Sequence, residues 1–238
     1  SGSAESVSGS AVSVEAGSQE NAGTKTHNSG EYYLKELSVS DSYYLDQTEI
    51  PVKLTYKDEN TPVIYAQCVK SNKQTTNEID KVSVADSKEL AGCNLRITDG
   101  AGKEIISWTS GNRDSVKVLV TPEDGYRNLN YSFDENLHVG GLFHDKEYTL
   151  TETKPADGYV TAEAITYMLK QKVAEDGTVT SVVNIKQKDD TYLEQEDDKT
   201  VMKDGQTHIQ LLKLDKKTGQ ALGGAKFIVM DSKGNEVM

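Results

Sequence analysis

Bulky apolar side chains in this chain recur in short alternating runs, with no helical stripe to compete. In EYTLTET, Tyr148 and Leu150 alternate with Thr149, Thr151 and Thr153, so an extended backbone would put an apolar row on one side and hydroxyls on the other. Tyr32 and Leu34 repeat the pattern, and so do Ile209 and Leu211. In each run a charged residue continues the apolar row: Glu152, Glu36 and Lys213, respectively. One such misplacement could be a side chain reaching back to water, but three in similar settings ask for a chemical reason. DGAGK at 99–103 and DSKGN at 231–235 read as hairpin turns, and KPADGY at 154–159 as a loop entering a strand. TPEDGYRNLNYSFDENLH (121–138) and KQKDDTYLEQEDDK (186–199) read as long or decorated loops, the first a surface excursion that could be shortened. Residues 1–30, rich in Ser, Gly, Ala and Glu, lack the bulky side chains that repay ordering and read as flexible.

The chain also repeats itself. An offset of 116 carries Glu31, Tyr32, Leu34, Glu36 and Tyr43 onto Glu147, Tyr148, Leu150, Glu152 and Tyr159 without a gap. An offset of 132 carries Lys81, Leu90, Gly92, Asp99, Gly102 and Glu104 onto Lys213, Leu222, Gly224, Asp231, Gly234 and Glu236, and Asn72 onto Asp204. The unit is therefore ordered as a Lys segment, a Glu segment and an Asn/Asp segment. Residues 31–75 hold the last two, 76–207 all three and 208–238 the first. The expected architecture is all-β: tandem Greek-key-like β-sandwich modules, one complete and two partial.

Composition narrows the function classes. The 238 residues carry 38 acidic and 26 basic side chains, a formal net charge of −12, which argues against sequence-independent binding to nucleic acid and against an anionic membrane surface. No run of 18 or more apolar residues suggests direct membrane insertion. Cys68 and Cys93 fall in different repeat units and read as small buried thiols, neither a disulfide nor a zinc site. The four histidines, His27, His138, His144 and His208, show no metal-ligand spacing, and no cofactor is expected. No Ser-His-Asp or Cys-His constellation can be assembled, so a turnover enzyme is not expected. The chain begins without Met and stops in mid-pattern at Met238, which suggests a piece of a longer protein.

The runs DKVSVADSKELAGCNLRITDGAGKEIISW, EYTLTETKPADGYVTAEAITYML and TVMKDGQT together resemble the Cna-B-like (SpaA, prealbumin-like) modules of Gram-positive pilins and adhesins. YTLTETKPADGY is similar to the family's glutamate-bearing box, and KELAG and LGGAKF to the motif at the start of its modules. The resemblance implies an autocatalytic amide bond between a first-strand lysine and a last-strand Asp or Asn, promoted by the glutamate. Carried over by position, these are Lys81, Asp204 and Glu152, with Glu36, Asn72 and Lys213 as the equivalents in the partial modules. Asp189, Asp190, Asp197 and Asp198 compete with Asp204 as acceptor. Burial disfavours charged forms, so a protonated Glu152 is expected to donate to the acceptor and shuttle the proton.

The implied protein is a stalk or pilus-type subunit, stabilised against tension and proteolysis by its own crosslink, extracellular and attached to the cell wall through regions outside this chain. Its partners would be neighbouring modules of the same longer protein. The rival is an adhesin that presents 121–138, with Tyr126, Tyr131 and Phe133, to a host or other extracellular ligand.

Overall fold

The computed structural model describes residues 11–16, 30–55, 57, 58, 60 and 64–237, which divide into two compact units between Gln206 and Thr207. In the first unit, β1 (Ala11–Ala16), β2 (Gly30–Leu34), β3 (Ile50–Leu54) and β4 (Ile64–Val69) form two antiparallel pairs, β1 with β4 and β2 with β3. β1 lies inside the segment read as flexible. Its sequence AVSVEA alternates branched and polar residues, and the backbone of β4 supplies the hydrogen bonds that an isolated strand would lack. The remainder of residues 1–29 lies outside the described residues.

The central sandwich follows. Its strands are β5 (Thr76–Ser83), β6 (Asn94–Asp99), β7 (Glu104–Thr109), β8 (Asn112–Val118), β9 (Asn130–Phe133), β10 (Leu137–Gly140), β11 (Glu147–Lys154), β12 (Ile165–Val173), β13 (Val179–Lys186), β14 (Tyr192–Glu194) and β15 (Lys199–Asp204). One sheet runs β15-β5-β10-β9 and the other β14-β13-β12-β11-β6-β7-β8. Ile79, Leu137, Val139 and Met202 from the first pack in one core with Leu95, Ile97, Ile106, Trp108, Tyr148, Leu150, Tyr167, Leu169 and Val183 from the second. Alternation places them there: along β11, Tyr148, Leu150 and Glu152 are buried, and along β15, Thr200, Met202 and Asp204. The sandwich is all-β, as expected, apart from one 3₁₀ turn at Pro122–Asp124.

One pairing matters most for the site. β15 lies beside β5 in parallel, with Met202 opposite Lys81 and Asp204 opposite Ser83, whereas the other named strand pairs are antiparallel. The first and last strands of the sandwich are therefore neighbours that run in the same direction.

Two of the expected loops prove more ordered. In 186–199, Tyr192–Glu194 adds β14 to the edge of β13; a short, polar edge strand carries too little apolar pattern to be read from sequence. Segment 121–138 is exposed over much of its length but anchored at several points. Tyr126, only 8% exposed, stacks on Phe143 with ring centroids 4.6 Å apart; β9 pairs with β10; and Leu137 is wholly buried. The segment is thus tied into the sandwich at these points, where a plain surface excursion was expected.

The preceding segment docks onto the sandwich. Tyr44 is fully buried, with its hydroxyl 2.5 Å from Ser181 Oγ. Gln74 Nε2 donates to Asn128 O at 2.7 Å, Asn128 Nδ2 to Ser42 Oγ at 2.9 Å, and Gln171 Nε2 to Leu45 O at 2.6 Å.

Within the second unit, residues 207–237 contain bridges Leu214↔Ala221 and Met230↔Glu236 but no named strand. The expectation was strands of a further module. A hairpin with no third strand or second sheet to cover its apolar side gains little from pairing, and Ile209, Leu211, Leu212 and Phe227 are exposed. The expected turn does form: Asp231 Oδ1 accepts from the amides of Lys233 and Asn235.

Candidate crosslink site

Three strands deliver three ionisable side chains to the sandwich interior. Lys81 from β5 is 2% exposed, Glu152 from β11 is 4% exposed and Asp204 from β15 is 0% exposed. Each continues the apolar row of its strand: Lys81 follows Ile79, Glu152 follows Leu150 and Asp204 follows Met202. Because β15 is parallel to β5 and Asp204 lies two residues past the partner of Lys81, the two side chains lie diagonally across the pair, within reach of a long lysine. A register irregularity in β11 just after Glu152 bends the strand there.

Lys81 Nζ donates to Asp204 Oδ1 and lies 3.1 Å from Glu152 Oε1. Glu152 Oε1 has no hydrogen-bond partner, so the contact with the ammonium is one of charge, off the hydrogen-bonding direction. The amide of Ala162, in the loop after β11, donates to Glu152 Oε2 at 2.7 Å. Cys93, just before β6, points its Sγ at Asp204 Oδ2 from 3.8 Å.

The two carboxyl groups are driven apart. Burial pushes Asp204 up; the Lys81 hydrogen bond and charge pull it down, Glu152 pushes it up again, and the net direction is upward. Burial also pushes Glu152 up, but the Ala162 amide, Lys81 and Cys93 outweigh it and hold Glu152 below its ordinary range. These directions favour Asp204 over Glu152 as the holder of a shared proton, whereas the sequence reading expected a protonated Glu152. The backbone amide makes the difference: an N–H aimed at a carboxylate favours its ionised form, and no sequence pattern announces it. Cys93 is pushed up to about 11, by burial and then by Glu152, and remains a thiol.

The competing aspartates are engaged elsewhere. Asp189 Oδ1 accepts from the Thr191 amide, Asp190 pairs with Lys186 at 3.3 Å, Asp197 Oδ1 accepts from the Lys199 amide, and Asp198 Oδ2 accepts from Thr76 Oγ1. Among the partial-module residues, Asn72 Nδ2 donates to Glu36 Oε2 at 2.6 Å and to Tyr44 O at 3.0 Å, and the amide of Asp46 also reaches Glu36 Oε2, at 3.2 Å. Asn72 Oδ1 is buried without a hydrogen-bond partner. Lys213 is exposed in the second unit.

Ligand atoms of Cys93, Glu152 and Asp204 lie within 4.8 Å of one another, a spacing a metal ion could use. The Lys81 ammonium already supplies the positive charge between the carboxyl groups, so the donor set does not need one. Sequence reasoning missed Cys93 as a member of the site. It precedes β6, outside any alternating run, and the repeat places Ala225 at the equivalent position.

The family signature of the SpaA, prealbumin-like fold domain matches residues 75–189. Comparison with curated proteins finds no match. Among solved structures, the chain is similar to the Bacillus anthracis TIE protein, at 20% identity and TM-score 0.37, covering 88% of this chain and 32% of that one. It is also similar to the shaft pilin SpaA of Lactobacillus rhamnosus GG, at 15% identity and TM-score 0.32, covering 81% and 68%. The group B streptococcus pilus 2b backbone protein matches at 12% identity and TM-score 0.31, covering 72% and 52%. The chain thus spans about a third of the TIE protein's length. No helix among the described residues is long and apolar enough to cross a membrane. Strand content and family signature agree that residues 75–189 of this chain form a SpaA-type module with a prealbumin-like fold.

Proposed function

We propose that this chain belongs to a structural stalk or pilus-type subunit of a Gram-positive surface protein, and that its central module closes itself with a Lys81–Asp204 amide bond promoted by Glu152. The observation that carries the reading is the burial of a lysine and two carboxyl groups in contact, at the seam between first and last strands. An ion cluster this deep costs desolvation that packed apolar residues would avoid, and bond formation removes that cost.

The chemistry balances with the groups present. Glu152 takes a proton from the Lys81 ammonium, and the freed amine attacks Cγ of the protonated Asp204. The second amine proton passes to Glu152 as Glu152 gives its own to the leaving hydroxyl. The Cγ–O bond breaks and water departs, leaving an amide and a protonated Glu152. Placement by the folded sandwich supplies roughly 7–11 kcal/mol of the barrier in well-oriented cases. Each molecule reacts once, so this is maturation and not turnover.

In the same reading, 31–75 is the end of a preceding module, 76–207 a complete one and 208–238 the start of another. The hydrogen-bonded Glu36–Asn72 pair supports this by matching the Glu152–Asp204 half of the central site. Partners would be neighbouring modules of the longer protein, and the location outside the cell, on the wall. The adhesin alternative loses ground because Tyr126 is buried and Phe133 half-buried; Tyr131, at 43%, is the exposed aromatic of the three.

Intact-mass measurement tests the bond. The chain is expected to be lighter than its sequence by one water, and Glu152→Ala, Lys81→Ala and Asp204→Ala should each restore the full mass. A wild-type mass equal to the sequence mass would leave only a buried ion cluster.

A further inference from the structure

The site contains a group that this mechanism does not use. The Cys93 thiol is wholly buried and lies 3.8 Å from Asp204 Oδ2, while Lys81 Nζ engages the other carboxyl oxygen, Oδ1. The thiol is held from behind. The Cys93 amide donates to Ser110 Oγ at 2.9 Å, and the Ser110 amide donates to Cys93 O at 2.8 Å. Ser110 Oγ donates to Leu90 O at 2.6 Å, and the Leu90 amide donates to Lys81 O at 2.7 Å. The backbones bearing the thiol and the amine are thus joined by a short relay of hydrogen bonds, which fixes both around Asp204.

We propose that Cys93 is a catalytic residue of the crosslinking reaction, its S–H donating to Asp204 Oδ2 as negative charge gathers there during attack by Lys81. This rests on the Lys81–Asp204 reading above. The two acceptor oxygens then have separate fates. Oδ1, the oxygen that the Lys81 amine contacts, takes up a proton and leaves as water. Oδ2 carries the charge of the tetrahedral intermediate and remains as the amide carbonyl oxygen, with the thiol beside it. The S–H bond is not broken, and no oxidant or second thiol is needed. A nucleophilic role, in which sulfur first acylates itself on Asp204, would require a thiolate among apolar side chains beside the Glu152 carboxylate, where that charge is disfavoured.

The test compares the rate of bond formation with the rate of folding in the full chain. Uncrosslinked chain, collected unfolded, is diluted into native buffer; fluorescence of Trp108, the one tryptophan and a buried one, reports folding, and quenched intact mass reports loss of water. Cys93→Ala should bury Trp108 at the wild-type rate but lose water at least about tenfold more slowly; a thiol is a weak donor, so the effect belongs at the low end of what removing one such donor costs. Cys93→Ser, which keeps an O–H, should stay within about threefold of wild type. Should Cys93→Ala fail to bury Trp108, Cys93→Val fills the space without a donor and takes its place. Water loss from the donor-less variant at the wild-type rate would overturn the proposal, as would Cys93→Ser reacting as slowly as that variant. A wild-type chain that never loses water would instead remove the Lys81–Asp204 reading, and the role of Cys93 with it.

Discussion

With Asp204 pushed up by burial and Glu152 held down by the Ala162 amide, the protonation states that would suit the proposed reaction are favoured together over a window of pH. Glu152 stays ionised below its ordinary value of about 4.3, while Asp204 holds its proton above its ordinary value of about 3.9. The initial rate of water loss during refolding should therefore rise as pH is lowered from neutrality toward Asp204's raised value, and fall only when Glu152 itself is protonated. A rate that climbs steadily with pH would show that freeing the amine limits the reaction instead. The sign for stability is the same: before the bond forms, protonated Asp204 favours the folded state at low pH, and that contribution is lost as pH rises through its raised value. At the same scale, two glycines form a controlled pair. Gly141 and Gly158 have φ of +85° and +84°, but an added Cβ would meet Asn128 O at 2.3 Å at Gly141 and nothing within 4 Å at Gly158. In a Glu152→Ala background, which the proposed mechanism leaves uncrosslinked, Gly141→Ala should cost at least about 1 kcal/mol more than Gly158→Ala, read by urea denaturation.

Among the elements, the 121–138 segment changes most between sequence and structure. Its exposed, polar stretch is what the sequence displays; its anchors are single residues, Tyr126 against Phe143 and Asn128 between Gln74 and Ser42. Tyr126→Ala should cost about 3 kcal/mol in the same uncrosslinked background, as large aromatic truncations in cores do, and a value near zero would restore the surface-loop reading. The three residues of the candidate site were legible for a definite reason. Lys81, Glu152 and Asp204 sit in repeat-equivalent positions, two of them identical and one an Asn/Asp exchange, and charged members of apolar rows stand out. Cys93, the Ala162 amide and β14 were not legible. Cys93 meets Asp204 across a separation of 111 residues, the Ala162 amide reaches Glu152 by the path of a loop that no residue pattern specifies, and β14 is an edge strand with one turn of polar chain before it. Tyr44 read as one aromatic among twelve tyrosines, because its burial is created by Ser181 and the sandwich beneath it.

At the scale of the first unit, Tyr44 joins two parts of the architecture: its carbonyl accepts from Asn72, and its hydroxyl reaches Ser181 in β13. Tyr44→Phe should cost about 1 kcal/mol and raise amide exchange at Thr75 and Thr76, where the segment enters β5; unchanged protection there would mean that the docking does not depend on this hydrogen bond. Closing the large loop between Lys81 and Asp204 is worth about 4–5 kcal/mol in the chain-entropy model, yet the parallel pairing of β5 and β15 has a consequence that energy alone does not capture. The two residues that the proposed bond would join are 123 apart in sequence but adjacent in space. A chain drawn out from both ends would enter the module at Lys81 and leave at Asp204 through the amide, so the segment between them would bear no tension. At about 3.3–3.6 Å per extended residue, the proposed bond would withhold on the order of 420 Å of contour length. A pulling trace of the wild-type chain should lack a step of that size, and Glu152→Ala should return it.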